Sequence, residues 1–199
     1  MRPTAHLGIA LIVSAIAACA SAPATLVTLP APPNPEAHQA GGRGAGTTIL
    51  LRPLVLPAYL DNFPVVVGRT GNTLIVANDT EWAEPLRDAA ARVLRDALSR
   101  RLGASRVLIA GDGRLPDADL SIEFLALDPR LGVLRLDAAW SFSCTGRDRR
   151  GRAGRTSLEV PLASPTPAAV ASATADALGR LADVLAAQAV CGDGREVAR

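Results

Sequence analysis

Ile16-Ala17-Ala18-Cys19 sets an aliphatic residue and two small ones before a cysteine, the arrangement of a lipobox whose thiol is lipidated. Upstream, Arg2 supplies a charged start and Leu7 to Ile16 an apolar run, the two parts of an export signal. That run is too short to cross a hydrocarbon core of ~30 Å as a helix. A second cleavage reading exists, because Ala15-Ile16-Ala17 carries small residues where an ordinary signal peptidase needs them and would release an unanchored protein. The lipobox accounts for the cysteine and is the better reading. Each buried acyl methylene contributes ~0.8 kcal/mol, so two or more chains hold a protein stably on a bilayer. The next residue is Ala20 rather than the Asp of lipoproteins kept in the inner membrane, which points to an outer-membrane anchor facing the periplasm.

Other reactive groups are few. Cys144 and Cys191 remain after Cys19 is consumed, and in an oxidising compartment they are expected to pair, closing the end of the last helix onto a strand; two buried thiols are the alternative. The only histidines are His6 and His38, both ahead of the folded region, so the domain lacks the usual base for a Ser or Cys nucleophile and a ligand set for zinc. No enzyme, no cofactor and no metal site are expected. Glu81 and Glu84 read as negative charges near a helix N-terminus rather than as an acid/base pair. The glycines at 41, 42 and 44 match no phosphate-binding loop.

Arg147, Arg149, Arg150, Arg152 and Arg155 crowd a Gly-containing connection between strands. Either it is a solvated loop or it touches an anionic surface, of lipid headgroups or of an acidic partner. The formal net charge of +2, all 21 basic residues being Arg, is too weak for a nucleic-acid footprint.

These residues need elements to hold them. Residues 1–18 read as the signal peptide, 19–46 as a lipidated N-terminus and Pro/Gly/Ala-rich tether with a short strand at Thr25 to Leu29, 47–190 as the domain and 191–199 as a tail. Ile49 to Leu56 has strand character, with Pro53 arguing for an edge or irregular strand. Val65 to Val67 and Thr73 to Val76 flank a turn at Thr70-Gly71-Asn72. Leu86, Ala89, Ala90, Val93, Leu94, Ala97, Leu98 and Leu102 repeat at helical spacing, with Pro85 in the first turn and Gly103 as the stop. A short strand at Arg106 to Ala110 follows. Alternation from Leu120 to Ala126 and from Leu134 to Cys144 predicts a half-buried antiparallel pair turning after Asp128-Pro129. Leu158 to Leu162 reads as the next strand. Thr166-Pro167 then opens a second amphipathic helix. The order implies a single α+β domain, a mostly antiparallel or mixed sheet with two helices on one face.

Leu56-Pro57-Ala58-Tyr59-Leu60-Asp61, Val67-Gly68-Arg69 and Trp82-Ala83-Glu84-Pro85-Leu86, in this order, resemble the PqiC/YmbA-type family of ABC-transport auxiliary lipoproteins. Asn62 departs from the Arg the family commonly has there. The resemblance implies an outer-membrane lipoprotein that works with an inner-membrane transporter and a periplasmic MCE-domain protein in moving lipid between membranes. Within the motif, Tyr59, Leu60, Asp61 and Trp82 are the candidates for a partner contact; packing and turn roles are the alternative. Whether copies of the chain associate is left open by the sequence.

Overall fold

The computed structural model describes residues 24–33, 47–62, 64–145 and 151–191, so Cys19, Arg147, Arg149 and Arg150 lie outside the described residues. Alternating apolar residues make the centre of the fold. β6 (Ala118–Arg130) and β7 (Val133–Cys144) pair antiparallel from end to end with one register shift between Phe124 and Ala126, and β8 (Arg152–Pro161) pairs with the far side of β7. Leu120, Ile122, Phe124, Leu134, Leu136, Ala138 and Phe142 are buried on one face, as period-two patterning requires. The turn falls at Leu131-Gly132, where Gly132 takes φ 71°, and not after Pro129: Asp128 and Pro129 stay in β6 opposite Arg135 and Leu134.

β2 (Ile49–Leu51) lies between β5 (Val107–Leu108) and β6, parallel to both, giving the sheet order β5-β2-β6-β7-β8. Of the two readings of Pro53, an edge or an irregular strand, the structure shows the second. Pro53 has no N–H to give, and the chain follows β6 beyond Leu51 through separate bonds, Arg52 N–H to Leu120 O, Val55 N–H to Ile122 O and Phe124 N–H to Val55 O.

A second sheet has the order β1-β4-β3, built from β1 (Thr25–Val27), β3 (Pro64–Thr70) and β4 (Thr73–Trp82). β3 and β4 form the predicted hairpin, with Gly71 at φ 56° in its turn. β1 runs parallel to the end of β4, Thr25 beside Thr80 and Val27 beside Trp82. Leu29 and Pro32 are then buried, and Pro32 lies against Gly179. Much of the expected tether is thus part of the fold.

α1 (Leu86–Leu102) and α2 (Pro167–Gln188) pack on each other, and α2 lies across β7 and β8. Ala89, Ala90 and Ala97 on α1 and Ala175 and Ala182 on α2 are fully buried, and small residues of this kind let helices approach closely. Thr166 caps α2 by accepting from Ala169 N–H, and Pro167 needs no such partner. Arg101 of α1 pairs with Asp183 of α2 at 2.5 Å. The molecule is one α+β domain, and no described helix is long and apolar enough to cross a membrane.

Cys144, at the end of β7, and Cys191, just past α2, form a disulfide with Cα atoms 5.9 Å apart. The sequence expectation for this pair is met. The arginine expectation needs revision: β8 starts at Arg152, six residues before the expected strand, so Arg152 and Arg155 are strand residues and not loop residues. Their register opposite Phe142 and Ala139 puts them on opposite faces, and Arg152 reaches Gln188 on the helix side.

Candidate partner-binding surface

Pro57 ends the irregular segment beside β6 and a single 3-10 turn, Ala58–Leu60, follows, closed by Leu60 N–H to Pro57 O and Asp61 N–H to Ala58 O. The turn sends consecutive side chains in three directions. Leu60 goes into the core, Tyr59 lies half-buried over the end of β6, and Asp61 stays in solvent.

Tyr59 Oη donates to Asp128 Oδ1 at 2.6 Å. The Arg69 guanidinium sits 5.4 Å from the Tyr59 ring centre, a cation over an aromatic face, and its Nε stands 3.1 Å from Asp128 Oδ2. That N–H is buried and has no acceptor on its axis, so the Arg69–Asp128 contact is an ion pair rather than a well-aligned hydrogen bond. Asp128 itself is almost fully buried, and a buried carboxylate is tolerated only when paired and hydrogen-bonded. Tyr59 and Arg69 meet that need. The Tyr59 phenol is pushed up to about 12, chiefly by burial and then by the hydrogen bond and charge of Asp128, with Arg69 acting in the opposite sense.

Asp61 pairs with Arg87 in the first turn of α1, and Glu84 pairs with Arg92 one turn further along. Glu84 is therefore engaged by the helix, while Glu81 faces a groove. This groove is an open depression of about 450 Å³ lined by Tyr59, Asn62, Pro64, Val66, Leu74, Val76 and Glu81. Of the three motif segments only the first lines it, through Tyr59, and the other two meet the first beside it. Tyr59 from the first meets Arg69 from the second, and Asp61 meets Arg87 beside the third.

Of the four residues singled out in the sequence, Asp61 is exposed and Tyr59 borders the groove, whereas Leu60 and Trp82 are each 5% exposed and support that surface from the core. Asp128 and Arg69 were not singled out. Asp128 had a sequence signal, an acidic residue at the end of an apolar strand, but it read as a turn. Among the described residues no three His, Cys, Asp or Glu side chains are placed to hold a metal.

Solved structures share this fold, among them two of low sequence identity. One, a crystal structure of an uncharacterized protein, is 18% identical, with a TM-score of 0.65 over 83% of this chain and 97% of that one. Another, protein XCC0632 from Xanthomonas campestris, is 20% identical, with a TM-score of 0.59 over 80% and 90%. No curated protein matches the sequence. The family described as ABC-type transport auxiliary lipoprotein component matches residues 28–186, a span that takes in all three motif segments, α1, all but the last two residues of α2 and every strand except β1, and the chain belongs to that family.

Proposed function

We propose that the chain is a non-enzymatic lipoprotein subunit of an MCE-type intermembrane lipid-transport system, anchored through Cys19 in the outer membrane and facing the periplasm. The observation that carries this reading is the family match over residues 28–186, together with the lipobox ahead of it. The surface around Tyr59 and Asp61 is the contact for the periplasmic MCE-domain protein, and the exposed Arg155, on the face of β8 away from Arg152, is open to an anionic surface, of lipid headgroups or of an acidic partner. Contact with the inner-membrane transporter runs through that periplasmic protein.

The core is closely packed and the depression beside Tyr59 is open, which favours a part that positions a partner over one that encloses a lipid. A structural lipoprotein that holds an envelope complex together without touching lipid has the same features and is the second reading.

Complementation separates the parts of this proposal. In a strain lacking the protein, the wild-type chain should restore resistance to detergent, while Cys19→Ala should fold normally and fail to restore it through lost localisation. Full rescue by Cys19→Ala would remove the anchor from the function.

A further inference from the structure

Two hairpin turns stand at the same end of the molecule. Arg69 immediately precedes the β3–β4 turn, Asp128 lies just before the β6–β7 turn, and their ion pair fastens the two together. Apolar side chains reach solvent in one turn and on the strand beside the other. Leu131, in the β6–β7 turn, is 100% exposed, and Ile75 near the other turn is 49% exposed. From Pro64 to Asn78 the hairpin contains no acidic residue, and its single charge is Arg69. Arg130 adds a partly exposed guanidinium beside Leu131.

The chain enters the fold from this same end. β1 is parallel to β4, so the backbone before Thr25 comes from the direction of Thr73 and the hairpin turn. From Cys19 to Thr25 there are six residue steps, which span at most about 20 Å at ~3.3–3.6 Å each. β4 carries extra residues between Val76 and Glu81, so the hairpin length is read on its partner strand: from Pro64, beside Glu81, to Thr70, beside Thr73, there are six steps, about 20 Å at ~3.4 Å each. The hairpin tip and the lipid therefore reach a similar distance.

We infer that this end of the molecule, with Leu131 and Ile75 at its two turns, rests in the headgroup region of the bilayer that holds the Cys19 lipid. The inference rests on the lipoprotein reading and adds the orientation of the domain to it. Apolar tips with a flanking Arg suit that region, where a side chain can bury its apolar part while the guanidinium stays among phosphates. A second consequence concerns the arginines. Arg152 lies at the other end of the β7–β8 pair, opposite Phe142, while Val133 at the Leu131 end pairs with Pro161. Arg152 therefore lies at the end remote from the bilayer, where its side chain reaches Gln188.

Leu115 provides a matched control. It is 94% exposed and precedes Ala118, at the far end of β6 from Leu131, about 40 Å away at ~3.4 Å per residue. Leu131→Trp and Leu115→Trp would be made in the full lipidated chain and reconstituted in phosphatidylethanolamine/phosphatidylglycerol vesicles containing acyl-brominated lipid. The native Trp82 and Trp140 background is common to both. The proposal expects at least twofold stronger quenching of Trp fluorescence in the Leu131→Trp protein. Equal quenching in vesicle-bound, acylated protein would overturn the orientation and leave the lipoprotein reading standing. Protein that carries no acyl mass on Cys19 and does not float with vesicles would overturn both. Amide exchange of the unaltered chain supplies a readout free of substitution: the turns at 71–73 and 131–133 should exchange several-fold more slowly on vesicles than in soluble Cys19→Ala. Identical exchange would also overturn the orientation.

Discussion

Tyr59 donates its phenolic hydrogen to Asp128, 69 residues away in sequence, and with Arg69 it makes a buried carboxylate tolerable next to an open groove. This is the only tyrosine in the chain, so its ionisation can be followed without interference. In the folded protein the phenolate absorbance should rise with a midpoint near 12, against 10.0 for the ordinary phenol. The folded value lies above the unfolded one, so protonated Tyr59 stabilises the fold. That contribution is complete below about pH 10 and disappears as pH rises through about 12. Tyr59→Phe should cost about 1–3 kcal/mol in urea unfolding at neutral pH, because it removes a hydrogen bond to a buried charge. A midpoint near 10 in the folded state would contradict the buried contact.

The Cys144–Cys191 disulfide ties the end of α2 to the end of β7 across a sequence separation of 47. Loop-closure entropy for such a span is ~4 kcal/mol before any strain. The paired Cys144→Ala, Cys191→Ala variant should therefore unfold at lower denaturant, by about 2–4 kcal/mol. Non-reducing mass spectrometry of the mature protein should find no free thiol at either position.

Gly179 is where the segment 24–33 meets α2, since an added Cβ would stand 3.0 Å from Pro32 Cβ. Gly179→Leu should lift that segment off the helix. Amide exchange over residues 25–32 should then quicken while β6 and β7 stay protected, with a stability loss of about 1–3 kcal/mol. Unchanged exchange there would mean the segment is not docked.

Both helices were legible because each is decided locally. Of the residues read from the α1 spacing, Leu86 to Leu98 are the ones the helix buries and Leu102 is half-buried, and Thr166-Pro167 opens α2 as its cap chemistry requires. The β6–β7 pair was legible for the same reason, alternation on adjacent strands joined by a tight turn. What could not be read was non-local. The parallel pairing of β2 with β6 joins Ile49 to Ala118, and the site depends on Tyr59 meeting Asp128. Neither leaves a periodic trace. The start of β8 was missed because Arg and Gly read as a turn, although β8 is an edge strand, where polar residues on both faces are tolerated. For Trp82 the sequence leaves contact and packing open, and its burial is in keeping with packing.

The central claim is a contact with a periplasmic MCE-domain protein through the surface that Tyr59 and Asp61 border. The direct measurement is affinity capture from detergent-solubilised envelopes with the lipidated protein, followed by quantification of the MCE-domain protein. Wild type should retain it, and Asp61→Arg, which reverses an exposed charge without touching the core, should reduce the retained amount at least tenfold while acylation and abundance stay normal. If the wild-type protein retains no MCE-domain protein from its own envelope, the transport account is contradicted and the scaffold reading replaces it.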